Sequence, residues 1–477
     1  MTEILLTAVL FLAAFFAAIG AIFCFMRLMH MLRNKEEGYL PYIFYTSTFV
    51  FMLTHIVLGR NMFVYPEPSN SNLTSPSYFL WISRANTTFI LFAACQWLTS
   101  RLMHYGSKPN APTLLIIAFL FLFFTNVFIP AFFSTHPSLS HQYVYMALLG
   151  VASLLFAQEK EETAIHAFRN SIFIFLVVSA GFITWNPGLV FSKNYLAGVI
   201  PGLTYRYAGL ADHPNTLGSM ATLFLLCLWS KPFPSRWINF LGWTIGYLSL
   251  VLAQSKTCWI VFILCMSCLG YFKYGDFLKQ RLLDFKNPIL PAIFIIMSMI
   301  TASIVLGVVM FSDIGSKFNS FFSTREGSDL MTMTGRTMIW EVALNEWNHN
   351  PLFGYGLTIW DDAHRARIGM PWAVTAHSQF YQSLASAGTV GVSGLLIYVT
   401  TLFWFALKTA KSSRGLTIAI FLMLSVRGIS EVPLTIIGFD FDALTHALLL
   451  MIIGAQFKSD RTPKKTNNSP NTYFLQE

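Results

Sequence analysis

The chain has 477 residues, of which 55% are hydrophobic and 11% charged, with a formal charge of +9 and a mean hydropathy of +0.56. Soluble domains carry about 25% charged residues, so a soluble enzyme, a disordered scaffold and a collagen-like rod are excluded, and lipid is the solvent for most of the chain. The positive balance would point to nucleic acid in a soluble protein, but here it has first to be tested against the placement of Lys and Arg around membrane spans.

A span needs ~20 mostly apolar residues, and about thirteen stretches qualify. They centre on 4–26, 41–59, 78–99, 113–133, 142–157, 171–186, 215–230, 237–254, 257–272, 288–311, 386–407, 415–433 and 436–457. The expected fold is all-α, a polytopic transmembrane helical bundle of about 12–13 spans. The apolar stretch 187–203 has the character of a re-entrant segment. The first run has no basic residue before it, and Arg27, Arg33 and Lys35 follow it. It is too long, and too poor in a small-residue cleavage site, for a removed signal peptide, so it reads as a retained span with its N-terminus outside.

That orientation puts most of the 31 basic residues on the inner side, including Arg101, Lys160, Arg169, Lys231, Lys273, Arg281, Lys408 and Arg414. The opposite orientation would violate the positive-inside rule. The charge is therefore mostly topological and requires no nucleic-acid partner. Arg60, Arg84, Lys193, Arg206, Lys256, Lys317, Arg325, Arg336, Arg365 and Arg367 remain on the outer face, and Arg427 lies within a span. The orientation rule does not account for them. The six cysteines sit in apolar runs. The C-x-x-C spacing of Cys265 and Cys268 reads as packing in a lipid-facing helix rather than redox or metal chemistry.

The polar segment 312–378 is the one long loop, and it carries Trp340, Trp347, Trp360 and Trp372. Within it, Ile339, Val342, Ala343 and Trp347 recur at helical spacing. Thr334 and Gly335 suit the start of that helix, and Pro351, Gly354 and Gly356 its stop. Arg336 then falls in the first turn, where free N–H groups and the helix dipole favour an anion. The second half, Pro351 to Pro371, is turn-rich and holds Asp361, Asp362, His364, Arg365 and Arg367. A turn explains Asp361 and Asp362 better than a metal, since no third ligand accompanies them. His377 closes the loop as the chain re-enters the membrane. The expected divisions are N-terminal spans over 1–200, central spans with Arg206 and Lys256 over 201–311, the loop over 312–378, C-terminal spans over 379–457, and a disordered tail over 458–477. No phosphate loop, zinc helix, serine-nucleophile elbow or acidic cluster with metal-site spacing occurs, so neither metal nor cofactor is expected.

The order of motifs resembles the O-antigen ligase and polymerase superfamily. YRYAGLADHPNTLG, from Tyr205 to Gly218, is similar to that family's arginine followed by an H-x-N-x-x-G element, and QSKT at 254–257 resembles the short turn after it. TGRTMIW at 334–340 with NPLFGYG at 350–356 is similar to the start of its large loop. AHSQF at 376–380, followed by Gly388 and Gly391, resembles its return into the membrane, and RGISE at 427–431 resembles a late R-x-x-x-E element. The resemblance spans 200–457, and the TGRT wording is nearer to the polymerases than to the lipid A–core ligases.

It implies a GT-C-like glycosyltransferase of a bacterial inner membrane, facing the periplasm, with an undecaprenyl-pyrophosphate-linked glycan as donor. The acceptor would be another glycan or lipid A–core, and a flippase and a chain-length regulator are the partners such an enzyme would meet. An inverting transfer needs positive charge on the departing pyrophosphate. Arginine supplies it bidentately and stays charged. Arg336 and Arg206 are the first candidates. Their structural alternatives are pairing of Arg336 with Glu341 or Glu346, and of Arg206 with Asp212. His377 is the candidate to orient or deprotonate the acceptor hydroxyl, in concert with attack, against a purely local hydrogen bond. Arg427 and Glu431, four residues apart, are expected to share a helix face, either to contact substrate or as a buried pair that fixes helix packing. His213 and Asn215 are expected to shape the turn beneath Arg206, and Lys256 to add a phosphate contact. Arg325, Arg365 and Arg367 would contact glycan or lipid head groups, or form a solvated loop face. The rival of another class is a polysaccharide or lipid transporter, which would show internal repeats and midplane polar groups; no repeat is evident.

Overall fold

The computed structural model describes residue 26, residues 38–57, 59–62, 77–103, 112–156, 160–193, 203–282 and 336–457, and isolated positions between 289 and 303. The expected span 4–26, the N-terminal half of the large loop including Lys317, Arg325, Thr334 and Gly335, and the tail 458–477 lie outside the described residues.

The described residues are mostly helical, with two short strands. The elements are α1 (Ile43–Val57), α2 (Ser77–Met103), α3 (Thr113–Phe133), α4 (Tyr145–Leu154) and α5 (Glu161–Trp185). A helical turn, Pro187–Val190, then leads into β1 (Phe191–Ser192), which pairs antiparallel with β2 (Arg206–Tyr207). After it come α6 (Pro214–Ser230), α7 (Arg236–Leu252), α8 (Lys256–Leu282), α9 (Arg336–His349), α10 (Asp362–Arg367), α11 (Gln379–Ala410), α12 (Leu416–Ser430) and α13 (Phe441–Gln456). The start of the proposed re-entrant segment is thus a helical turn and a strand whose partner carries Arg206.

Among the described residues five helices are long and apolar enough to cross a membrane: Leu40–Val57, Thr113–Phe133, Glu161–Trp185, Lys256–Arg281 and Gln379–Ala410. Leu416–Ser430 and Phe441–Gln456 are apolar but shorter. The chain is a membrane protein built from helices of unequal length. Lipid is as apolar as leucine, so such helices associate through close packing and internal hydrogen bonds rather than through water exclusion. The span α3 shows this. A π-helical turn, Phe124–Phe128, turns Asn126 inward, and its Nδ2 donates to Gly391 O of α11 at 2.9 Å.

Two apolar cores result. The large one runs between the helices of the bundle, centred on α6 and α13. The smaller lies under the loop and joins Ile339, Ala343, Tyr355, Ile359, Trp360, Ala373, Ala376 and Ala385. Ile339 and Ala343 come from the spacing that predicts a helix over this region, and α9 buries both. The loop is anchored where α11 breaks. Gly388 has φ 64 and ψ −160, and the interrupted ladder there is replaced by loop backbone. Tyr355 N donates to Ala385 O at 2.8 Å, Gly356 N to Ser386 O at 3.1 Å, and Thr389 N to Pro351 O at 2.9 Å. A Cβ on Gly388 would strike the Leu352 carbonyl, and one on Gly354 would lie 2.6 Å from Ala385 O. Backbone-to-backbone approach of this kind requires glycine.

Candidate functional site

The ends of five separate segments meet beside the loop. The first is the chain from β2 into α6. Arg206 is buried, with Nε donating to Ala253 O at 3.0 Å and Nη2 to Asn215 Oδ1 at 2.7 Å. Asn215 is in position because His213 caps α6, its Nδ1 accepting from Asn215 N at 3.1 Å, and Pro214 fills the first turn. Pro is suited there, since that N–H has no helical partner. His213 and Asn215 therefore do shape the turn beneath Arg206.

The second segment joins α7 to α8. Gln254 stands at φ 48, and its Nε2 donates to Tyr205 O at 2.6 Å and Leu203 O at 3.3 Å, tying down the residues before Arg206. Lys256, two residues on, is exposed at the start of α8 and makes no hydrogen bond or ion pair with a described residue.

The third and fourth segments are the start of α9 and the end of the loop. Arg336 is the first residue of α9, and its Nη2 donates to Glu431 Oε1 at 3.1 Å. Neither Glu341 nor Glu346 is its partner; Glu346 faces His364 at 3.7 Å instead. His377 stands at φ 47, and its Nδ1 lies 3.2 Å from Glu431 Oε2. The peptide before it is held on both sides. Ala376 N donates to Gln382 Oε1 at 3.0 Å, and Ala376 O accepts from Trp340 Nε1 at 3.0 Å. The Trp340 ring stacks on Tyr381 at 4.8 Å.

The fifth segment is the end of α12, and it corrects the sequence reading. The helix stops at Ser430, and Glu431 is extended, with φ −148 and ψ −178. The expected Arg427–Glu431 pair therefore does not form. Arg427 stays in the helix and donates to Asp442 of α13. Glu431, freed from the helix register, turns to Arg336, His377 and Asn215, whose Nδ2 donates to Oε1 at 3.4 Å. Burial alone would raise the Glu431 carboxyl. The hydrogen bond with His377 and the charges of Arg336, His377 and Arg427 outweigh it and hold the carboxyl at about 2.

The structure therefore brings the stretch holding Arg206, His213 and Asn215 together with Arg336, His377 and Glu431, which lie far from it and from one another in sequence. It does not bring in Arg365 and Arg367. Arg365 donates to Asp362 and Pro371 O, and Arg367 to Tyr355 Oη at 2.8 Å and His364 Nδ1 at 2.6 Å. Asp361 caps α10 by accepting from His364 N at 2.7 Å, as a turn residue would. Two other outer-face assignments also resolve into local structure. Asp212 pairs with His55 at 2.7 Å rather than with Arg206. Arg60 donates to the carbonyls of Leu189, Gly209 and Ala211, bracing the chain around β2.

Sequence reasoning passed over Gln254, Trp340, Gln382 and Asp442. Gln254 lies inside the QSKT motif, but a polar letter in a motif does not reveal whether its side chain meets a ligand or a backbone carbonyl. Trp340 and Gln382 were legible only as residues of an unusually tryptophan-rich loop and of the helix after it.

Chemically, the arrangement offers two guanidinium groups linked through one asparagine and one ionised carboxylate, with an imidazole on the same carboxylate. Cationic side chains fixed in advance at a low-dielectric boundary suit an anion whose charge grows during reaction. Residues 240–398 match the family model described as O-antigen ligase, a span that takes in α8, α9 and most of α11. A search of curated proteins returned no match. The match covers part of the chain; it supports a likeness to the O-antigen ligase and polymerase superfamily and that broad type of function without separating ligase from polymerase.

Proposed function

We propose that the chain is a membrane glycosyltransferase that moves a glycan from undecaprenyl pyrophosphate to a sugar hydroxyl at the periplasmic face of a bacterial inner membrane, in a GT-C-like helical frame. The observation that carries this reading is the shared carboxylate. Glu431 gathers Arg336, His377 and Asn215, and Asn215 holds Arg206, so that the cations and the imidazole of one site are linked.

In the reaction, an acceptor hydroxyl attacks the anomeric carbon from the face opposite the pyrophosphate, inverting the configuration. Arg336 and Arg206 stabilise the negative charge that builds on the departing phosphate oxygens. They supply the positive charge that a metal would otherwise bring, so no metal or cofactor is required. Lys256, exposed beside the Gln254 turn, adds a further phosphate contact. His377 orients the acceptor hydroxyl and takes its proton as attack proceeds. Imidazole is too weak a base to ionise a sugar hydroxyl beforehand, so proton transfer is concerted with attack. The loop 312–378 covers the site and positions the sugar chains.

We favour polymerisation, in which the acceptor is a second lipid-linked glycan, on the TGRTMIW wording at 334–340. The second reading is ligation to lipid A–core, favoured by the description of the matching family model. Deleting the gene separates them. Single-repeat glycan on the core marks a lost polymerase; accumulated lipid-linked polymer with bare core marks a lost ligase. Glycan retained on the inner leaflet would instead mark a transporter. The enzymatic reading is tested with purified full-length protein given lipid-linked glycan. Arg336→Ala and His377→Ala are each expected to lower transfer by about 10²-fold or more. Undiminished transfer in both would overturn it.

A further inference from the structure

Glu431 touches both the cationic part of the site and the imidazole, and its two oxygens divide the work. Among the described residues, Oε1 receives Arg336 and Asn215, while Oε2 faces His377. An ionised carboxylate accepts and never donates. A neutral imidazole whose Nδ1 faces such a group must carry its proton on Nδ1, which leaves the lone pair on Nε2. The His377 side chain is 27% exposed, and Nε2 makes no hydrogen bond to a described residue. The backbone that carries the ring is also fixed. His377 is held at φ 47, a left-handed conformation that is unfavourable for a non-glycine residue, by the bonds to the Ala376 peptide and by Thr375 Oγ1, which accepts from His377 N at 3.2 Å. An outlier maintained by so many neighbours marks a geometry that the surrounding structure enforces.

We propose that Glu431 is a positioning residue: it fixes His377 as the Nδ1–H tautomer, aims Nε2 at the acceptor hydroxyl and balances the imidazolium that forms during transfer. This rests on the reading of His377 as the acceptor's partner. As the acceptor oxygen bonds to the anomeric carbon, its proton passes to His377 Nε2. The bond from the anomeric carbon to the pyrophosphate oxygen breaks, and its electron pair leaves with the phosphate. The proton then passes from Nε2 to water or to the released pyrophosphate. Glu431 stays ionised throughout, stabilising positive charge on the ring without taking a proton. This makes the carboxylate more than a counter-ion of Arg336, and the two roles have different kinetic signatures.

The test uses full-length enzyme in nanodiscs with lipid-linked glycan, comparing Glu431→Gln, Glu431→Asp, His377→Ala and the Glu431→Gln/His377→Ala double variant. Glu431→Gln is expected to lower kcat by about 10²-fold with donor KM changed less than about threefold. The double variant is expected to be no slower than His377→Ala, since a residue acting through His377 has nothing left to position. In 15N-histidine spectra, with the signal assigned by its loss in His377→Ala, wild type is expected to show the Nδ1–H tautomer and Glu431→Gln a shift away from it. Additive losses in the double variant, or a raised donor KM at unchanged kcat, would overturn the positioning role. Full transfer by His377→Ala would instead overturn the functional reading on which it rests. If Glu431→Gln does not fold, Glu431→Asp decides: it keeps the charge but withdraws it from Nδ1, and an undiminished kcat overturns the proposal, whereas a loss of about tenfold upholds it.

Discussion

Arg336 and Arg367 belong to one loop and have the same chemistry, yet they end in different company. Arg367 is satisfied within its own segment, by Tyr355 and His364. Arg336 reaches across to Glu431, at the end of another helix, where an imidazole and an asparagine already converge. A guanidinium that closes a local turn does structural work. One drawn into a cluster assembled from distant segments costs more to hold, since each partner must be placed by its own part of the fold. The difference shows that an outer-face arginine is informative only through its partners, which come from tertiary structure.

Substitutions that exchange these partners test the contrast. The largest effect is expected for Arg336→Ala, with transfer down by about 10³-fold, and melting in detergent changed far less than activity. Arg206→Lys keeps the charge but loses the planar fork that holds Ala253 O and Asn215 together. A loss of about 10²-fold in transfer from lipid-linked donor is expected, which a lysine equal to arginine in this role would not produce. Arg427→Ala strands the Asp442 carboxylate between α12 and α13. It is expected to lower stability by about 3 kcal/mol, read as a drop in melting temperature and in yield of folded protein. Arg367→Ala is expected to leave transfer within about threefold while costing about 1–2 kcal/mol, because Tyr355 and His364 lose their partner. A large loss of transfer here would erase the contrast.

The smallest effect concerns pH. The Glu431 carboxyl is held at about 2, below its ordinary 4.5, so the stability it contributes is fully present above about 4.5 and is lost as pH falls towards 2. Thermal melts of wild type and Glu431→Gln should therefore keep a constant separation from pH 7 to 5 and converge below pH 4.5.

Much of the fold was legible because lipid imposes a simple constraint. Apolar runs such as 113–133 must be helical for the backbone to satisfy itself, and Thr113–Phe133 is a helix long and apolar enough to cross a membrane. The helix of the loop was equally legible, since Ile339 and Ala343 recur with helical period and both are buried. The limit of periodicity appears at Glu431. Spacing of four residues after Arg427 predicts a shared helix face, but α12 ends one residue too early, and the backbone turns the carboxylate elsewhere. By contrast α6 (Pro214–Ser230) and α7 (Arg236–Leu252), each 17 residues long, fall within two residues of the apolar windows 215–230 and 237–254.

The sequence by itself determined that this is a helical membrane protein and that its distinctive residues, Arg206, Arg336 and His377, fall in motifs resembling those of one superfamily. Both follow from local properties: hydropathy, charge placement and short ordered motifs. Only the tertiary structure decided which charges meet. It gave Arg427 to Asp442, Asp212 to His55 and Glu431 to Arg336 and His377. The physical reason is that ion pairs form between side chains brought within a few ångströms by helix ends and chain breaks. Those ends are set by packing across the whole bundle, which no local spacing encodes.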